Sequence, residues 1–139
     1  MEKLFEIIDH TADIGIISYG SDMENLFSNA AMGLFSLMIE PEIINEKIQR
    51  EVQISSQDSE SLLVEWLNEL VYIFAMEQLI FTRFKFDKLS AIDLKARCFG
   101  NKIDHKKQKI IREVKAATYH MLVINKENTG YKAQIIFDI

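Results

Sequence analysis

Cysteine, proline and glycine are all scarce in this chain, and each scarcity removes a class of structure. The single cysteine, Cys98, excludes a disulfide framework and a cysteine-built zinc cage, and suits a chain kept in a reducing compartment. One proline and five glycines in 139 residues leave no obvious linker, and no segment repeats another at fixed spacing, so one domain over residues 1–139 is expected. Nowhere does the sequence approach ~18 consecutive apolar residues, and the opening Met-Glu-Lys-Leu-Phe-Glu lacks a basic stretch feeding an apolar one. No membrane span or secretory leader is expected, and the cytoplasm is the expected location. No glycine-rich phosphate loop follows a candidate strand, which argues against a nucleotide site of its own. A Gly-x-Ser-x-Gly nucleophile elbow is absent too.

What is present is enough apolar residue, 48%, for one core, with a net charge of -5. Lys3–Ile8 and Ile14–Gly20 are short apolar runs that read as strands, joined by the polar Asp9-His10-Thr11-Ala12-Asp13. Ser21-Asp-Met-Glu24 has capping-box spacing. Beyond it Leu26, Phe27, Ala30, Ala31, Leu34, Phe35 and Met38 recur at helical period, giving a helix over about 22–39. Glu51–Ser55 alternates as a strand. A second stripe, Leu63, Trp66, Leu67, Leu70, Ile73 and Phe74, predicts a helix over about 58–76, with Asp58 or Ser56 as N-cap. After residue 80 the period turns to two: Phe81–Asp87, Ala91–Phe99, Val114–Ile124 and Tyr131–Phe137 read as strands, the last two joined as an antiparallel hairpin at Asn128-Thr-Gly130. Segregated helices and strands predict an α+β fold: a mostly antiparallel or mixed sheet packed with two α-helices.

Three features could carry chemistry. The first loop holds Asp9, His10, Thr11 and Asp13: the Asp and Thr oxygens suit a hard cation and the His10 nitrogen a softer one, although Asx-turn capping explains such a cluster more readily. The chain runs Phe137-Asp138-Ile139 straight out of an apolar strand, placing the Asp138 carboxylate beside the main-chain carboxylate of Ile139, a pair suited to a metal. On the second helix Glu65 and Glu69 stand one turn apart beside Asn68 and Tyr72, either a solvated acidic face or a surface for a basic partner. A fourth feature is electrostatic. Lys95–Lys115 holds eight of the sixteen basic residues against Asp104 and Glu113 alone, so the remainder carries 8 − 19 = −11. Phosphate or an acidic protein patch could be its partner, but few aromatics are interleaved, which weakens a single-strand nucleic-acid reading.

Four stretches in order, Asp9-His-Thr-Ala-Asp-Ile-Gly15, Leu62-Leu-Val-Glu-Trp-Leu-Asn-Glu-Leu70, Glu113-Val-Lys-Ala-Ala-Thr-Tyr-His120 and Phe137-Asp-Ile139, resemble the archease family along the whole chain. The resemblance implies a small α+β accessory protein of the RtcB-type tRNA-splicing RNA ligase. Such a protein promotes ligase guanylylation and multiple turnover, and is not itself an enzyme. It implies a divalent cation, calcium, held by Asp13, Asp138 and the main-chain carboxylate of Ile139. His10, Asp58, Glu65 and Glu69 are the expected partner-facing residues, with transient binding to the ligase and no membrane. The competing readings are a metal-dependent hydrolase using Asp13, Asp138 and His10, and a chaperone or RNA-binding module using the basic segment. A hydrolase needs a general base near an open coordination position, and an RNA module needs steep salt dependence.

Overall fold

A computed structural model of the chain describes residues 3–9, 13–40 and 43–139. The two β-branched runs near the N-terminus form β1 (Phe5–Asp9) and β2 (Ile14–Gly20), an antiparallel pair with Asp9 opposite Ile14. Then comes α1 (Met23–Met38), whose apolar stripe is buried as its spacing predicts. Its cap differs from the expected capping box: Asp22 Oδ1 accepts the Asn25 N–H at 2.8 Å, while Ser21 Oγ accepts from the Asn25 side chain. Asp22 has the extended backbone an N-cap needs, one residue past the serine. β3 (Ile48–Ser55) follows, and α2 (Ser59–Glu77) starts at Asp58 as N-cap and closes at Gln78 in the left-handed region.

Two sheets flank these helices, and every strand pairing among the described residues is antiparallel. β4 (Leu79–Leu89) and β5 (Asp93–Lys102) join β3 in the order β3-β5-β4. In the other sheet β1, β2 and β8 (Gly130–Asp138) lie side by side, and the far edge of β8 takes β6 (Ala116–Ala117) and β7 (Val123–Glu127). Trp66 on α2 is fully buried, donates its indole N–H to the Phe27 carbonyl of α1 at 3.0 Å, and packs against Phe84 and Phe86 of β4. One apolar cluster thus joins both helices to both sheets.

The segment expected as one strand over Val114–Ile124 is broken. Ala116 pairs with Asp138 and Ala117 with Phe137, but Val123 pairs with Gln134. The paired numbers sum to 254 and then to 257, so three extra residues are extruded between two stretches of the same edge. Thr118 still donates its N–H to the Ile136 carbonyl; Tyr119, His120 and Met121 bulge into solvent, with Met121 at φ 54°. An edge strand tolerates such a bulge because its outer groups have no neighbour to lose. The hairpin closes as expected, Glu127 opposite Gly130, whose φ of +148° favours glycine.

Candidate functional site

β8 is the central strand of its sheet at the C-terminal end. On one side Ile14 pairs with Phe137, and the same register continued by one residue sets Asp13 opposite Asp138. Directly opposed residues of an antiparallel pair lie about 4.5–5.5 Å apart at Cα. Gly15 makes the approach close: a Cβ there would meet Ile136 Cδ1 at 2.6 Å and the Ile135 carbonyl oxygen at 3.0 Å. On the other side Ala116 pairs with Asp138, and Lys115 donates its N–H to the Asp138 carbonyl at 2.8 Å. Asp13 is half-buried, Asp138 is exposed, and Ile139 is 45% exposed beyond the strand's last pair.

Asn68 of α2 secures this edge. Its Oδ1 accepts the Ala117 N–H at 2.8 Å and its Nδ2 donates to the Ala117 carbonyl at 3.2 Å. A side-chain carboxamide thus replaces the strand that β6 lacks on its outer side and fixes the backbone next to Asp138. Sequence reasoning gave Asn68 no role. The only signal was a carboxamide standing among acids beside the apolar stripe.

The remaining expected residues are distributed along α2. Glu65, exposed, lies one turn before Asn68 on the same side, and half-buried Glu69 adjoins it. Asp58 is ten residues before Asn68, about 15 Å along the helix axis. Its Oδ1 accepts the Ser61 N–H at 2.7 Å, and that bond holds its carboxyl below the usual carboxylate range. Its visible work is capping. His10 lies outside the described residues. Among the described residues no three acidic, histidine or cysteine side chains converge. The expected set contains only two such side chains, its third oxygen donor being the main chain of Ile139. Like charges directly opposite in a sheet repel, and oxygen-only donors match a hard divalent cation.

The chain matches the archease protein family over residues 5–139. It belongs to that family. It is 39% identical over 141 residues to the protein archease of Methanosarcina barkeri, covering 99% of this chain and 97% of that one. Archease of Pyrococcus abyssi is 40% identical, with 99% of each chain covered. A solution structure of a Methanobacterium thermoautotrophicum protein superposes with TM-score 0.83 at 37% identity, covering 98% of this chain and 99% of the other. The crystal structure of a Thermotoga maritima protein, described as an archease and possible chaperone, shares the fold with TM-score 0.67 at 23% identity, covering 100% of this chain and 98% of the other. The α+β architecture expected from the sequence is therefore that of the archease family. No described helix is long and apolar enough to cross a membrane.

Proposed function

We propose that this archease-family chain is a cytoplasmic accessory protein of an RtcB-type RNA ligase, promoting ligase guanylylation and multiple turnover rather than catalysing a reaction itself. The observation that carries the reading is the β2–β8 register, which continues to Asp13 opposite Asp138 at the end where Ile139 emerges. The ligase partner is what the archease resemblance of the sequence implies, and the family match over residues 5–139 supports that reading. Asp13, Asp138 and the Ile139 main-chain carboxylate would hold a divalent cation, calcium by preference for several hard oxygens. When bound, the cation supplies positive charge at an otherwise acidic sheet end. The chain's own groups do the rest: Lys115 and Ala116 hold Asp138 by its backbone, Asn68 holds the neighbouring Ala117, and the exposed Glu65 with Glu69 offers an acidic face to a basic partner surface. The words possible chaperone, attached to the Thermotoga protein, fit the same coarse role of acting on another protein.

Two measurements test this. Calcium titration calorimetry is expected to show binding by the wild type that weakens at least about tenfold in Asp13→Asn and Asp138→Asn, since losing even a group that only supports a metal ligand costs about that much. Multiple-turnover RNA joining by a purified RtcB-type ligase is expected to rise with the wild type. It should not rise with either variant or with a form extended beyond Ile139. Wild-type stimulation by all three altered forms would overturn the site, and no stimulation by the wild type would overturn the ligase role.

A further inference from the structure

We propose that the cleft where residues 43–47, the end of β5 and the turn 104–108 meet is a phosphate site, taking phosphate groups through Lys47, Lys102 and Lys107 without reading the rest of the ligand. The cleft has a volume of about 420 Å³, is open to solvent, and lies at the three-stranded sheet, away from the sheet that carries Asp13 and Asp138.

The eight cations of Lys95–Lys115 do not form one face. Arg97 is held by Asp87 through two bonds of 3.0 and 2.9 Å, Lys95 approaches Glu51 at 3.9 Å, and Arg112 donates to the Leu37 carbonyl at 2.7 Å. Lys102 and Lys107 are different: they join Lys47, which lies far outside the run. The β3–β5 register brings them together, because Ile48 pairs with Gly100 and one further step sets Lys47 opposite Asn101, next to Lys102. The turn then folds Lys107 back, the Asp104 carbonyl accepting the N–H groups of Lys107 and Gln108. Among the described residues none of these three lysines has an ion pair.

The amides around them present donors. Asn101 Oδ1 is occupied by the Lys102 N–H, and Gln108 Oε1 by the Asp104 N–H, so each carboxamide offers its NH₂ group. Gln108 is only 7% exposed, one of two buried polar residues among those described. Asp104 is the one acid in the lining, and its Oδ1 already accepts the Lys106 N–H. Three ammonium groups against one carboxylate leave a formal +2 on a chain of net charge -5. Ammonium groups bind phosphate as point charges, and three of them around one cleft suit a multiply charged anion. No described lining residue is aromatic, so bases have nothing to stack on and recognition stops at the phosphate. The phosphate can belong to an RNA backbone or to a free nucleotide.

The test uses the full chain without any ligase. Fluorescence anisotropy with labelled oligouridylate and oligoadenylate, and calorimetry with GTP and inorganic triphosphate, are run on three proteins at several salt concentrations. These are the wild type, the Lys47→Gln/Lys102→Gln/Lys107→Gln variant, and a Lys3→Gln/Lys126→Gln/Lys132→Gln variant that removes equal charge elsewhere. The cleft variant is expected to bind about tenfold more weakly or worse, with the slope of log K against log salt shallower by about one for each phosphate no longer neutralised. The control variant is expected to stay within about twofold of wild type. Binding of both oligonucleotides with similar affinity identifies a backbone ligand, and binding of GTP and triphosphate alone identifies a free one. No binding by the wild type at low salt, or equal loss in both variants, would overturn the proposal.

Discussion

At the level of single residues, burial decides chemistry. Cys98 lies inside β5 with no exposed surface, and burial pushes its thiol up to about 12. A thiol with so little thiolate at neutral pH is inert. Ellman's reagent is expected to leave the native protein unmodified over hours and to titrate one thiol after denaturation; rapid native labelling would contradict that burial. Trp66 is the largest buried side chain, and Trp66→Ala is expected to cost about 3–5 kcal/mol in urea unfolding, Phe35→Ala a similar amount. Losses below ~1 kcal/mol at both would refute the core assignment. Asp58 gives a pH signature. The Ser61 N–H stabilises its carboxylate, so the folded pKa lies below the unfolded one. The resulting stabilisation is present at neutral pH and disappears as pH falls through the folded value. Asp58→Asn keeps a good cap but cannot titrate, so the acid limb of Tm against pH, below about pH 4, is expected to be shallower than in wild type. Superimposable acid limbs would exclude the effect.

At the level of elements, the edge of β8 is the most informative part of the fold. Two short strands share that edge, and Asn68 holds the shorter one through both backbone groups of Ala117. Asn68→Ala strands a donor and an acceptor and is expected to cost about 1–3 kcal/mol. Asn68→Asp keeps the acceptor but turns a carboxylate oxygen towards the Ala117 carbonyl and adds a like charge beside Glu65, so it is also expected to destabilise the edge. Hydrogen exchange is expected to show the Ala117 amide losing protection before those of β2 in the alanine variant. Unchanged protection there would mean that the β6–β8 pairing alone carries the edge. The helices were legible from spacing because each buries one face in a common core. Their exact caps depended on which backbone is extended, a choice between Ser21 and Asp22 that spacing does not make.

At the scale of the whole molecule, the candidate sites are separated by sheet. The acidic strand end belongs to β2 and β8, whereas the lysine cleft belongs to β3 and β5. Additivity is therefore expected: Asp138→Asn combined with the triple lysine variant should change calcium affinity and phosphate affinity each as the separate variants do, since distant sites with no shared partners add. A coupling of more than about 0.5 kcal/mol in either affinity would show that the two ends of the protein communicate.

The sequence by itself determined the periodic elements and the turn chemistry: both helices, the α+β class and the hairpin at Gly130 follow from local spacing and backbone preference. It also set Asp138 beside Ile139, since neighbours in sequence need no folding to meet. Tertiary structure decided what pairing across strands decides. It continued the register of Asp13 to Asp138, extruded Tyr119–Met121 from an edge that reads as continuous, and gave Asn68 its backbone partner. It also divided the basic run, pairing Arg97 with a carboxylate and sending Lys102 and Lys107 to meet Lys47. Local patterns encode which face a residue takes, but register depends on contacts between segments far apart in sequence, and a slip of two residues keeps every side chain on its own face.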